Sequence, residues 1–253
     1  MKPARIEILG VPVDCVSMTT ALDYVDELLR GGEAGTVLAI NPEKVIKARQ
    51  DPVLLGQLKT AALLIPDGIG IVGAARLLGL ANIERVPGID LMMRICERAA
   101  ERGYRVFLYG AVPEVNAAAS EALAAAFPGL RIVGRQHGYL SEAEMPALVS
   151  AINNSGADIL LAALGSPRQE QWMATHLAQL RIKVCQGVGG SFDVLAGTVR
   201  RAPASWRDRN MEWAYRLLSQ PRRLMRQTAL PRFAFQVLGK WLSRSPRQGH
   251  TSG

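Results

Sequence analysis

Asp67 is the residue whose type and placement carry the most chemistry. It follows the apolar run Ala61-Ala62-Leu63-Leu64-Ile65, inside Pro66-Asp67-Gly68. Pro, Asp and Gly are what a tight turn asks for, and a turn aspartate is one reading. The other is a general base, because a carboxylate half-buried at a strand end can be held at the elevated pKa that proton abstraction needs. Other segments also stand directly after apolar runs: Asn41, Gly110, Gly165-Ser166-Pro167-Arg168-Gln169-Glu170, and Gly187-Val188-Gly189-Gly190-Ser191 with Phe192 and Asp193. In the first glycine-led stretch, Ser166 is placed to cap a helix, Pro167 to be its first residue and Gln169 to close a capping box. The same helix start, with Arg168 beside it, suits an anionic or polyhydroxylated ligand, and the two readings are compatible. Gly189 and Gly190 either let a ligand approach the backbone closely or form a packing turn; their spacing is not a dinucleotide fingerprint.

Absent motifs narrow the chemistry. The chain has no Walker loop, GxSxG, HExxH or Asp-x-Asp pair, and His137, His176 and His250 are isolated. A histidine triad or a metal cluster is not expected, so any reaction is expected to need neither metal nor other cofactor. If a diphosphate is handled, arginines must balance its charge, and Arg216, Arg222, Arg223 and Arg226 offer planar bidentate donors.

These loops need strands beneath them. Short apolar runs at 36–40, 61–65, 105–109, 131–133, 158–164 and 184–188 alternate with helical patterns, including one over 69–78 and an alanine-rich one ending near Phe127. A capping-box pattern, Ser141-Glu142-Ala143-Glu144, opens another. Alternation of this kind predicts an α/β, Rossmann-like, mostly parallel sheet covered by helices, with ligands expected beyond the carboxyl ends of the strands. Beyond Pro203 only helical pattern remains. Met211, Ala214, Tyr215 and Leu218 fall on one face there, and Pro221 and Pro231 are expected to divide this tail into short helices.

Charge separates the same two regions. Residues 1–197 carry 18 Lys/Arg against 20 Asp/Glu, whereas residues 198–253 carry 12 against 2, interleaved with Trp206, Trp213, Tyr215, Phe233, Phe235 and Trp241. We therefore expect a catalytic body over 1–197, a basic amphipathic appendage over 198–242, and a disordered tail over 243–253. The appendage suits an anionic surface: a bilayer, a phosphorylated lipid or a nucleic acid. A helical subdomain with a basic solvated face is the plainer alternative. No window supplies the ~20 uninterrupted apolar residues of a bilayer span, and the first residues lack the apolar stretch of a signal peptide. Cys15, Cys96 and Cys185 form no CxxC pair, which fits a reducing cytosol.

Taken together, the segments resemble the WecG/TagA/CpsF family of bacterial glycosyltransferases. The resemblance rests on Ala39-Ile40-Asn41-Pro42-Glu43-Lys44, Pro66-Asp67-Gly68-Ile69-Gly70, Arg85-Val86-Pro87-Gly88-Ile89-Asp90 and Phe107-Leu108-Tyr109-Gly110. It continues through Gly138-Tyr139, the stretches 165–170 and 187–193, Arg201-Ala202-Pro203, and residues 212–223, in family order over roughly residues 10–235. It implies an inverting transferase at the inner face of the bacterial cytoplasmic membrane, peripherally attached. The enzyme would move a hexose from a UDP-sugar to a polyprenyl-diphosphate-linked sugar in cell-surface polysaccharide synthesis. N-acetylmannosamine is the sugar it favours, with N-acetylmannosaminuronate or glucose as alternatives. It further implies that Asp67 is the base and that Asn41, Arg85, Gly110, Tyr139, Gln169, Gly189 and Gly190 belong to the substrate pocket. Arg216, Arg223 and Arg226 inherit the diphosphate role, on an appendage that touches the membrane and closes over the site. Many members carry Thr where this chain has Ala39, so any donor contact by that hydroxyl is missing.

Three other classes fit parts of the sequence, a purely structural membrane scaffold among them. A nicotinamide-dependent oxidoreductase fits the α/β pattern but lacks GxGxxG at the first strand–helix junctions. A nucleic-acid-binding protein fits the arginine-aromatic tail, but the body has no excess positive charge to extend a phosphate track, so no nucleic-acid partner is expected. The oligomeric state stays open, a homo-oligomer included.

Overall fold

The computed structural model describes residues 2–32, 34–209, 211–219 and 228–243. An antiparallel hairpin of β1 (Arg5–Ile8) and β2 (Val11–Asp14) precedes a six-stranded sheet made of β3 (Gly35–Ile40), β4 (Leu63–Pro66), β5 (Arg105–Gly110), β6 (Arg131–Gln136), β7 (Ile159–Ala163) and β8 (Val184–Gly187). Their order is β4-β3-β8-β7-β5-β6, with every pairing parallel. All six coincide with the apolar runs read from sequence. The doubly covered, parallel α/β sheet is thus the expected Rossmann-like architecture.

Side chains alternate between two cores, as strand geometry requires. Val37, Leu63, Ile65, Val106, Leu108, Ile159, Leu161 and Val184 face one core, which is closed by α1 (Met18–Arg30), α5 (Gly88–Arg102), α6 (Pro113–Ala126) and α9 (Ser191–Leu195). Leu38, Ile40, Leu64, Phe107, Tyr109, Leu160, Ala162 and Cys185 face the other, closed by α2 (Pro42–Gln50), α3 (Pro52–Thr60), α4 (Ile69–Leu77), α7 (Met145–Ser155) and α8 (Arg168–His176). The helices form where their apolar spacing allows it. In α5 the buried residues Ile89, Met92, Ile95, Cys96 and Ala99 recur at three- and four-residue steps, and Gly103 ends the helix in the left-handed region at φ 74°. Ser141 donates its backbone N–H and its hydroxyl to Glu144 Oε2 at 2.8 and 2.7 Å, so the expected capping box opens the 3₁₀ turn before α7. Those two bonds also hold the Glu144 carboxyl below its ordinary range.

The chain leaves β3 and β7 toward one face (α2, α8) and leaves β5 and β8 toward the other (α6, α9). Divergence of neighbouring connections opens crevices at the carboxyl ends of the central strands, which is where such sheets bind ligands.

Three features differ from the sequence reading. The β1–β2 hairpin has no counterpart in it. Arg5 clamps Asp14 at 2.6 and 2.9 Å, and Asp14 Oδ2 accepts Leu64 N–H at 2.7 Å, fixing the hairpin beside β4. In the C-terminal region, α10 (Ala204–Asp208) and α11 (Glu212–Ser219) are short as expected, but Pro231 does not divide the chain. It is the third residue of α12 (Ala229–Leu242), a first-turn position where the missing N–H would have no helical partner anyway. Finally, the sequence reading does not include a place in the core for α12, where Ala229, Phe233 and Val237, spaced by one turn, are buried beside α2 and α4. Pro221 and residues 244–253 of the expected tail lie outside the described residues. Among the described residues, no helix is long and apolar enough to cross a membrane.

Candidate active site

The site is assembled at the carboxyl ends of β4, β3, β8 and β7. Asp67 directly follows β4, and its N–H donates to Ile40 O at 2.8 Å, which prolongs the β3–β4 ladder by one residue. Val86 N–H donates to Pro66 O at 2.8 Å, so the Arg85-Val86-Pro87-Gly88 segment runs alongside the end of β4. Gly88 then opens α5 with no side chain in the way. Asp67 Oδ2 and Ala39 Cβ lie 3.8 and 3.5 Å from where a Cβ on Gly88 would project. Gln186, a polar residue inside β8, donates from Nε2 to Gly88 O at 3.1 Å and ties this corner to the central strands. Asp67 is therefore half-buried at the junction of three elements.

Asn41 caps α2: its Oδ1 accepts Lys44 N–H at 2.8 Å. The expected Ser166–Gln169 capping box does not form. Helix α8 starts at Arg168 with Pro167 as its cap residue and no side-chain cap bond. Gln169 turns inward instead and is 3% exposed. Its Oε1 accepts Gly189 N–H at 3.1 Å, and its Nε2 donates to Glu170 Oε1 at 3.1 Å. The amide lies against Gly187, where a Cβ would stand 2.7 Å from Nε2. Gly189, at φ 53°, reverses the chain after β8, and Gly190 at its crest is exposed. Glu170 in turn forms a buried ion pair with Lys44 of α2, Nζ to Oε1 2.6 Å.

Arg85 meets the C-terminal region. Its Nη2 lies 2.7 Å from Glu212 Oε2 at the start of α11, and both side chains are largely buried. Arg201 pairs with Asp90 of the same 85–90 segment at 2.5 Å. Arg216 sits one helical turn beyond Glu212, whereas Arg223 and Arg226 lie outside the described residues. Phe233 of α12 packs near Gly70, where a projected Cβ would stand 3.9 Å from Phe233 Cε1 and 2.8 Å from Pro42 Cγ. Helix α12 is thus docked on α2 and α4, the helices that follow Asn41 and Asp67.

Gly110 and Tyr139 belong to the neighbouring part of the same edge, at the ends of β5 and β6. Gly110 adopts φ 117°, and a Cβ there would meet Ala163 O at 2.5 Å, so only glycine fits. Ala111 N–H donates to Ala163 O and Gly138 N–H to Ala111 O, both at 2.9 Å, while Arg168 Nη2 reaches Gly138 O at 3.2 Å. Tyr139 stands outside this stack with its ring exposed. Arg168 is thus tied through Gly138 to Ala111, the residue after Gly110, and Tyr139 N–H donates to His137 Nδ1 at 3.3 Å.

Nucleophilic thiols are a poor match for this molecule. Burial raises Cys96 to about 12 and pushes Cys185 higher still; Cys15 is raised by burial and by the Asp14 charge. Among the described residues no group of three or more His, Cys, Asp or Glu is placed to hold a metal ion. Lys44, Glu170 and Glu212 lie in stretches singled out from the sequence but receive no role there, and Gln186 is not singled out at all. Gln186 alone left a local signal, a lone polar residue inside a buried strand.

Residues 6–247 match the family described as Glycosyl transferase WecG/TagA/CpsF family. That is nearly the whole chain, and the protein belongs to this family of glycosyltransferases, which act in cell-surface polysaccharide synthesis.

Proposed function

We propose, starting from that membership, that the protein is an inverting transferase which moves N-acetylmannosamine from its UDP donor to a polyprenyl-diphosphate-linked sugar. The observation that carries the proposal is a convergence. The half-buried Asp67 and the backbone of the Arg85-Val86 segment lie at the end of β4, and the Arg85 guanidinium is bonded to Glu212 in the C-terminal region. Asp67 takes the proton of the acceptor hydroxyl. The hydroxyl oxygen forms its bond to the anomeric carbon as the bond from that carbon to the phosphate oxygen breaks, and UDP departs with the electron pair. Base catalysis of this kind contributes roughly 10²–10⁴-fold. Arginines stabilise the departing diphosphate, a task suited to fixed donors in a water-poor cleft. Arg216, Arg223 and Arg226 take that role, and Asn41, Arg85, Gln169, Gly189, Gly190, Gly110 and Tyr139 shape the pocket. We propose that the reaction is independent of metal, because the sequence offers arginines and no Asp-x-Asp pair.

Helix α12 supports attachment to an anionic membrane face. Phe235 and Leu242 are 75% and 67% exposed, and Leu238 and Trp241 are also exposed, on a helix that carries Arg232 and Lys240. Aromatic and basic side chains together on an exposed helix suit the interfacial layer, where each basic residue near anionic lipid adds about 1 kcal/mol. A lipid-held acceptor would then reach the strand ends from that surface. The test is a panel of UDP-sugars assayed against a short-chain prenyl-diphosphate-sugar acceptor. UDP-N-acetylmannosamine should give the highest kcat/KM; transfer from no UDP-sugar in the panel contradicts the proposal.

A further inference from the structure

We propose that Lys44 and Glu170 are positioning residues of the transfer site, a buried tie that holds the Gly189–Gly190 turn in register with Asn41. The proposal rests on the functional reading above and adds to it a pair of residues that touch no substrate.

The side chains of Lys44 and Glu170 are 6% and 0% exposed, and the residues stand 126 apart in sequence. They join α2, which leaves β3, to α8, which leaves β7, and β8 lies between those strands. A continuous chain of contacts follows. Asn41 Oδ1 accepts Lys44 N–H at 2.8 Å, Lys44 Nζ meets Glu170 Oε1 at 2.6 Å, Gln169 Nε2 donates to that oxygen at 3.1 Å, and Gln169 Oε1 accepts Gly189 N–H at 3.1 Å. The tie therefore spans three strand ends and finishes on the backbone of the glycine turn.

Charge is what gives the tie a direction. A primary amide has nearly the same shape whichever way it is turned, so Gln169 needs a reason to present oxygen to Gly189. An ionised carboxylate accepts and cannot donate, which forces Nε2 toward Glu170 and leaves Oε1 for the Gly189 N–H. Lys44 Nζ, 2.6 Å from Glu170 Oε1, is the cation that pairs with that carboxylate. Stability alone does not call for such a pair, since replacing buried ion pairs with well-packed uncharged residues is often neutral or stabilising.

The test compares the wild-type protein with the double variant Lys44→Met/Glu170→Gln, which removes both charges and leaves an oxygen able to accept from Gln169. Melting temperature, amide hydrogen exchange over residues 187–191, UDP binding by calorimetry and turnover are measured on each. We expect a melting temperature within a few degrees of wild type, at least ~10-fold faster exchange at the turn, and at least ~10-fold weaker UDP binding or slower turnover. Gln169→Leu, which leaves the ion pair intact and cuts the tie one link later, should give the same exchange and activity losses. It serves alone if the double variant does not fold. Unchanged exchange in a folded variant overturns the proposal, and so does faster exchange with wild-type UDP affinity and turnover. Should the wild-type protein itself bind no UDP, the functional reading falls, and exchange at the turn alone decides whether the pair holds it.

Discussion

Gly187→Ala tests how tightly the glycine turn and Gln169 are coupled. The new methyl would stand 2.7 Å from Gln169 Nε2, 3.0 Å from its Cδ and 2.9 Å from Leu38 Cδ2. Ordinary carbon contacts begin near 3.5 Å, so the side chain must move by roughly 0.5–1 Å. Moving it strains two bonds of 3.1 Å, to Gly189 N–H and to Glu170. Overpacking a core typically costs about 1–3 kcal/mol, and a buried polar group left without its partner costs about 1–3 kcal/mol. A net loss of roughly 2–4 kcal/mol is expected, which lowers Tm by roughly 5–15 °C in a chain of this size. Gln169→Ala removes the atoms the methyl collides with. In a double-mutant cycle read by chemical denaturation, the two changes together should cost less than their sum by at least about 1 kcal/mol. Turnover should stay low in all three variants, because each loses the bond to Gly189. Simple additivity, or wild-type turnover in Gly187→Ala, would show that Gln169 does not govern this turn.

Gly110→Ala should be far more damaging than most single substitutions. It adds a left-handed strain to a backbone collision with Ala163 O at 2.5 Å, and a loss of at least ~3 kcal/mol by urea unfolding is expected. The acid limb of stability should depend on Asp158. Burial raises its carboxyl, but hydrogen bonds from the Arg105 side chain and backbone outweigh that and hold it below the ordinary range. A depressed carboxylate contributes stability above its unfolded value near 4, lost as pH falls through the lower folded value. Arg105→Gln should flatten the stability profile below about pH 4 and leave its shape at pH 6–8 unchanged. Transfer should persist in excess chelator, and loss of turnover restored by magnesium would contradict the metal-independent mechanism.

Much of the scaffold was readable because parallel strands buried on both faces leave continuous apolar runs, and all six appear as such. The loops after those runs single out Asn41, Asp67, Gly110, Gln169 and Gly189. The β1–β2 hairpin left a weaker trace: its strands have four residues each, and Pro12 within β2 reads against a strand. Strand order is a long-range property, and so are the ion pairs. Lys44–Glu170 and Arg85–Glu212 bridge 126 and 127 residues, and nothing local to a lysine or glutamate announces such a partner. Gln169 shows the limit from the other side. Its spacing from Ser166 predicted a capping box, but the helix begins later, and the buried carboxylate next to it offered its amide a stronger partner. The docking of α12 was hidden because Phe233 and Val237 sit in a segment whose composition advertises arginine and exposed aromatics.

The most direct measurement is turnover of Asp67→Asn with a UDP-sugar donor and a prenyl-diphosphate-sugar acceptor. Asparagine matches aspartate in size and retains the backbone N–H bond to Ile40 O at 2.8 Å, so the fold and UDP binding should persist. The account predicts a fall in kcat of at least ~10²-fold, about 2.7 kcal/mol or more in the barrier. Turnover near that of the wild-type protein would contradict it.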